Sequence, residues 1–268
     1  MTVNQAAAGG AAPAPYQPPQ VGRWAKPLGR RTFLSGALAT AAAGCLSWRP
    51  PLDLWPSALE LAADYYTAAG QQLAIAPLPY VDVQMNTRTC INMRRDADGP
   101  DMDLVAGEAE IRVHPGASGT IAVRAGPGLV LTRAAAFNIR YTAPQVVLTC
   151  LQGEVQVQAA GQRQTLPAGL QLVYGAQGAQ PAVAVDPARA IAWRTGMLSF
   201  AGEPLAEAVD EINRYRAGRI VVFGQEAGRR PVRMRLAVRD VEGHAVALLM
   251  RATGLQATEL PGGLVVLS

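Results

Sequence analysis

The sequence predicts a mainly β protein with an α+β C-terminal end: an N-terminal membrane-anchor helix, an all-β domain built as a sandwich or a short solenoid, and a small α/β sandwich module. Three observations carry this reading. Between residues 66 and 190, short segments alternate apolar and polar residues and are closed by Gly, Pro or Asn, the mark of antiparallel strands with one solvated face. Glycine and proline number 27 and 20 of 268 residues and only 16% of residues are charged, which favours strands joined by turns over long helices. After residue 204 the apolar period changes from two to 3.6, between two runs that read as strands.

Residues 1–29 read as a disordered tail: the first 22 are rich in Ala, Gly, Pro and Gln and carry no charge. Arg23, Lys26, Arg30 and Arg31 then precede a charge-free segment from Thr32 to Trp48, bounded by Arg49, Pro50 and Pro51. At about 17 residues it is at the short end for a spanning helix, so residues 30–49 are expected to be a single-pass anchor. With the basic side held inside, everything after it faces out of the cytoplasm, and Trp48 and Trp55 can sit at the outer interface. Two other readings compete. Arg30-Arg31-Thr32-Phe33-Leu34 resembles the core of a twin-arginine export signal, and Ala42-Ala43-Gly44-Cys45 resembles a lipoprotein cleavage box. All three carry the remaining chain across the inner membrane. Residues 50–65 are expected to be a linker ending in a short helix, Leu59 to Tyr65.

The all-β domain is assigned to residues 66–190. Its strands are expected at Tyr80–Met85, Glu108–Val113, Thr120–Arg124, Phe137–Tyr141 and Glu154–Gln158, each alternating in polarity. Gly107-Glu108 and Gly153-Glu154 could be one repeated hairpin device or a coincidence. Asp96, Asp98, Asp101 and Asp103 crowd a turn around Gly99-Pro100. Without a bidentate Glu at calcium-loop spacing, they read as a solvated turn. Cys90 and Cys150 could pair in an oxidising compartment, although two buried thiols in strands is the plainer reading.

Residues 191–268 form the second domain. Met197 to Phe200 reads as a strand. From Pro204, Leu205, Ala208, Val209 and Ile212 fall on one helical face, with Glu207, Asp210, Glu211 and Arg214 on the other. Pro204 suits the first turn and Gly218 a left-handed stop. Strands at Ile220–Phe223 and Pro231–Leu236, a helix from Val241 to Thr253 stopped by Gly254, and two strands joined at Pro261-Gly262-Gly263 complete it.

The words around the first helix carry a resemblance. Trp193, Gly196, Leu198, Phe200, Pro204, Leu205, and Asn213-Arg214-Tyr215 are similar to the hinge of FecR-family proteins. Gly107-Glu108-Ala109, Ala136-Phe137-Asn138-Ile139, Gln152-Gly153-Glu154-Val155 and Leu166 to Leu172 are similar to that family's β-domain words. The C-terminal module, with Thr253-Gly254-Leu255, is similar to the short N-terminal domain of secretins and TonB-dependent transducers. The resemblance implies an inner-membrane signal transducer with its C-terminal part in the periplasm. It would contact the signalling domain of a TonB-dependent outer-membrane siderophore receptor and relay that contact toward an extracytoplasmic-function sigma factor, directly or through a separate cytoplasmic anti-sigma partner. Family members have an N-terminal cytoplasmic helical domain, and residues 1–29 are too few to pack one. The usual Gly-Thr before Phe137 is replaced by Ala135-Ala136, and an early Asp-Gly-Ser turn is missing.

Trp193, Leu198, Phe200 and Tyr215 read most simply as core and hinge packing. Leu198, Phe200, Leu205 and Tyr215 are nevertheless carried as candidate partner-contact residues, with strand addition at a sheet edge of the module as the contact mode. The sequence holds no G-x-S-x-G, H-E-x-x-H, P-loop or dinucleotide fingerprint, and its two histidines, His114 and His244, lie far apart. No catalytic residue, cofactor or metal site is therefore expected. A formal charge of +4 without a basic and aromatic cluster outside the N-terminus gives no support for nucleic-acid binding. The alternative function is an exported soluble or lipidated periplasmic scaffold that uses the same two domains without regulating a sigma factor.

Overall fold

The computed structural model describes residues 62–96, 99–117 and 119–268. The candidate anchor at 30–49, Cys45, Trp48 and Trp55 lie outside the described residues. Within them, no helix is long and apolar enough to cross a membrane.

The first domain runs through β1 (Tyr65–Tyr66), β2 (Leu73–Leu78), β3 (Val81–Met85), β4 (Cys90–Asp96), β5 (Gly99–Val113), β6 (Ile121–Ala125) and β7 (Gly128–Thr132). It continues through β8 (Ala135–Thr142), β9 (Gln145–Ala159), β10 (Gln162–Pro167), β11 (Leu170–Gly175) and the two-residue β12 (Gly178–Ala179) and β13 (Val183–Ala184). One sheet has the order β1-β4-β5-β6-β7-β9-β10. The other has the order β2-β3-β5-β8-β9-β11, with β12 and β13 paired to β11. Among the described residues of this domain, only β5 and β6 pair in parallel. The inward residues of both sheets, among them Met85, Ile91, Leu104, Ile111, Phe137, Leu148 and Val157, form one core. The domain is thus a two-sheet sandwich, and a solenoid is excluded by this pairing.

Two strands belong to both sheets. β5 pairs with β4 and β6 through Ala106 and with β3 and β8 from Gly107 onward. β9 pairs with β8 and β11 up to Gly153 and with β7 and β10 beyond it. At each handover stands a glycine with positive φ, +98° at Gly107 and +72° at Gly153. A Cβ on Gly107 would lie 2.4 Å from Thr89 Cα, so no other residue fits the bend. The two Gly-Glu words are therefore corners of continuous strands and not hairpin turns.

The short helix α1 (Pro187–Ala190) and a 3₁₀ turn (Ala192–Thr195) lead into the second domain. Its elements are β14 (Met197–Pro204), α2 (Leu205–Arg214), β15 (Arg219–Val222), the one-turn α3 (Gln225–Gly228), β16 (Pro231–Ala237), α4 (Val241–Thr253), β17 (Ala257–Leu260) and β18 (Leu264–Leu267). β14 and β16 form a two-stranded sheet, and β15-β18-β17 a three-stranded one with β15 parallel to β18. Leu205, Ala208, Val209 and Ile212 of α2 are buried as their spacing requires, with Leu198, Phe200, Ile220, Leu236, Ala245, Leu249 and Leu267 around them. This core shares no residue with that of the sandwich.

Several expectations are corrected. The helix expected at Leu59–Tyr65 gives way at its end to β1, because Tyr65 and Tyr66 pair with Ile91 and Cys90; Leu59 to Leu61 lie outside the described residues. Pro204 ends β14 and occupies the N-cap position, and α2 starts at Leu205. α2 stops at Tyr215 with a right-handed cap and does not reach Gly218. Gly218 serves a different purpose: a Cβ there would meet Gly263 O at 2.2 Å, where the β17–β18 turn crosses it. For the cysteines the plainer reading holds: Cys90 and Cys150 are both buried and not joined in a disulfide, and burial pushes the Cys150 thiol up to about 11.

Candidate functional site at the domain junction

Alternation along β5 turns Ala109, Ile111 and Val113 into the sandwich and leaves Glu108, Glu110 and Arg112 on the outer face of the second sheet. On β8 the same rule turns Phe137 and Ile139 inward and leaves Asn138 and Arg140 outside, opposite Glu110 and Glu108 respectively. In an isolated sandwich this polar face would be wet. Here the C-terminal end of α2 and the 3₁₀ turn lie against it, so Glu108, Glu110 and Asn138 retain only 5%, 3% and 4% of their surface.

Glu108 is the centre. Its Oε1 accepts from Asn138 Nδ2 at 3.0 Å, and its Oε2 accepts from Asn86 Nδ2 at 2.9 Å and from Arg214 Nη2 at 2.9 Å. The second amide proton of Asn86 reaches Tyr215 Oη at 2.7 Å. Burial alone would raise the Glu108 carboxyl. The charges of Arg214 and Arg140 and the two amide donors outweigh it and hold the carboxyl below the ordinary range. Arg214 is pushed upward by Glu108 and Glu211 against the opposing effect of its own burial, and its guanidinium stays charged. Burial also raises the Tyr215 phenol, so it remains a neutral hydrogen-bonding group.

The rest of the junction repeats this pairing at its rim. Glu211 bridges Arg214 of its own helix at 2.8 Å and Arg140 of β8 at 2.9 Å. Arg194 reaches Glu110 at 2.7 Å, and Glu110 also holds Arg112 at 3.1 Å. Trp193 Nε1 donates to Asn138 Oδ1 at 3.2 Å, and the Trp193 carbonyl accepts from Gln72 Nε2 at 3.0 Å. The exposed carbonyls at the end of α2 are satisfied from the other domain. Thr87 Oγ1 donates to Arg214 O at 2.8 Å, and Arg88 donates to Arg214 O at 3.1 Å and Arg216 O at 2.7 Å. Helix ends need such partners, and in this chain the β3–β4 turn provides them. Beside the network a cleft of about 420 Å³ opens between Arg140, Gln171, Arg189, Met197, Ser199 and Phe200.

These contacts connect parts far apart in sequence; Glu108 and Arg214 are 106 residues apart. Sequence reasoning placed Glu108 and Arg214 in notable words but assigned neither a role, and it passed over Asn86, Thr87 and Arg88. A usable signal was present: Glu108, Asn138, Trp193, Arg214 and Tyr215 each belong to a different matched word or adjoin another in the same word, and all meet here.

The four candidate partner-contact residues are placed clearly. Leu198, Phe200 and Leu205 point into the module's own core, and Tyr215 is shared between that core and the junction. They are 0–8% exposed, and of the four Leu198 and Phe200 reach the wall of the cleft. Of the acidic cluster, Asp98 lies outside the described residues, Asp96 ends β4, and Asp101 and Asp103 lie on β5, where Asp103 pairs with Arg94 at 3.2 Å. Among the described residues no three His, Cys, Asp or Glu side chains come together as a metal site. With three donors on its carboxylate, Glu108 is held in one position between the two domains.

Residues 63–156 match the family model described as FecR protein. The fold is similar to two crystal structures of a candidate anti-sigma factor from Parabacteroides distasonis, with TM-scores of 0.63 and 0.62 at 16% identity. The similarity covers 76% of this chain and 97% and 96% of those chains. No curated protein matches the chain.

Proposed function

We propose that this chain, whose residues 63–156 are a FecR domain, is a FecR-type regulator of an extracytoplasmic-function sigma factor. In this reading residues 30–49 hold the chain in the inner membrane with both folded domains in the periplasm. The C-terminal module docks the signalling domain of a TonB-dependent outer-membrane receptor. The state of that contact passes through the junction to the sandwich, and from there to the N-terminal segment and the sigma factor or a separate anti-sigma partner. The FecR domain and the likeness to structures described as candidate anti-sigma factors support the regulatory class.

The observation that carries the relay is the junction itself. Two domains with separate cores meet through charges and amides centred on Glu108 and Arg214. An apolar interface of that extent would be costly to open. Buried ion pairs nearly break even against hydration, so a polar junction can separate at modest cost while still defining one closed arrangement. That combination suits a relay, which needs two states of similar free energy.

The test is a transcriptional reporter for the sigma factor in the host cell. Deleting the gene should change reporter output and abolish its response to the receptor's siderophore. Arg214→Leu should shift the output with no siderophore present. A reporter indifferent to deletion would refute the proposal.

A further inference from the structure

β16 is an edge strand. It pairs only with β14, and no described backbone group bonds its other side between Pro231 and Ala237. Val232 and Leu236 point into the core and Met234 packs at its margin, leaving Arg233 and Arg235 exposed on the outer face. Their cross-strand neighbours are Ala201 and Ser199, too small to cover a guanidinium and unable to neutralise one. Arg233 lies across the β14 bulge, its Nη2 placed 3.7 Å from where a Cβ of Gly202 would stand. Glu203, at the same bulge and opposite Val232, is taken up by the Ala201 and Gly202 amides and by Arg189. Arg229, at the approach to the strand, is also exposed. The guanidinium groups of Arg229, Arg233 and Arg235 make no ion pair or hydrogen bond among the described residues.

We propose that the free edge of β16 is the docking edge of the module, and that its occupant is an extended acidic segment with carboxylates at alternate positions. This rests on the reading that the module docks a partner protein. Arg233 and Arg235 are two residues apart on one face, so their charges repeat every 6.7 Å or so. A strand added beside β16 presents alternate side chains at the same interval, which matches acid to base along the edge. The open backbone gives binding strength, and the arginine pair selects an Asp- or Glu-bearing strand over a neutral or basic one. Edge arginines can also serve only to repel other strands. The two roles separate on one point: a guard rejects every strand, whereas a docking edge accepts the acidic one.

The test uses the full chain and a fluorescent peptide of about twelve residues in which Glu alternates with Thr or Val. A second peptide of the same composition has its Glu residues in one block, and a third has Lys in place of Glu. Fluorescence anisotropy should show the alternating acidic peptide binding several-fold tighter than the blocked one. The double variant R233E/R235E should lower its affinity about tenfold and favour the Lys peptide, since two exposed cross-strand pairs are lost and repulsion is added. Both positions are exposed, so the far-UV spectrum should not change. R233Q/R235Q, which removes charge without reversing it, should fall between. No binding, equal binding of the two acidic peptides, or binding kept by R233E/R235E would overturn the assignment. Phosphatidylglycerol vesicles bound in preference to the peptide through the same arginines would overturn it in favour of a membrane surface. In cells, a reporter that answers normally with R233E/R235E sinks the docking edge alone, whereas a reporter blind to gene deletion sinks the relay reading.

Discussion

Replacing Arg214 with Leu removes the guanidinium from Glu108 and leaves a carboxylate that is 7% exposed with only the Asn86 and Asn138 amides for company. At 2.9 Å and an effective dielectric constant near 20, the lost attraction is about 6 kcal/mol before any compensation. The guanidinium, 12% exposed in its closed position, no longer has to be dehydrated, and the two amides remain. The net loss should be about 2–4 kcal/mol at pH 7, near the range for breaking a buried pair. A double-mutant cycle with Glu108→Gln, read from urea unfolding of the full chain, should return a coupling of about 2 kcal/mol or more. Acid adds a second signature. In the wild type Glu108 has a depressed folded pKa, so its contribution is present above the unfolded value near 4.5 and is lost as pH falls through the folded value. In R214L the largest lowering influence is gone while burial remains, so the Glu108 pKa moves upward and the deficit should shrink as the carboxyl takes a proton. A coupling under about 0.5 kcal/mol, or a deficit that does not depend on pH between 7 and 4, would refute the reasoning.

Three further outcomes are expected. Gly107→Ala should destabilise by more than about 2 kcal/mol in chemical unfolding, because its methyl group would enter Thr89 backbone at a φ of +98°. Arg88→Ala, which strips donors from the carbonyls of Arg214 and Arg216, should lower stability by about 1–2 kcal/mol and speed amide exchange at the end of α2. In a Cys45→Ser chain, Cys90 and Cys150 should resist a thiol reagent at pH 8 and react at once in denaturant, since both are buried and Cys150 titrates near 11.

Much of the fold was legible because burial leaves a periodic trace. Alternation located β3, the second half of β5, β6, β8 and the second half of β9, and the 3.6 period located α2 with its four buried residues. What that trace cannot say is which surface covers a polar face. Glu108, Glu110, Asn138 and Arg140 alternate like any solvent-facing set, yet the first three are buried, because a second domain arrives from more than fifty residues away in the chain. Asn86, Thr87 and Arg88 sit at a turn, where no period applies, and each also has a partner beyond residue 192 in the second domain. Leu198, Phe200, Leu205 and Tyr215 are carried as candidate contacts by the matched words around α2, and as large side chains at element ends facing a core they are buried. Arg233 and Arg235 read simply as the wet side of a strand, and only the pairing pattern shows that the strand's other edge is open.

Because β5 and β9 each run through both layers, neither layer can slip over the other without stretching a covalent backbone. Glu108 stands one residue past the corner at Gly107, where the strand passes from one layer to the other. In the proposed relay, a displacement entering at Glu108 would therefore engage both halves of the sandwich at once, and the sandwich would move as one body against the module.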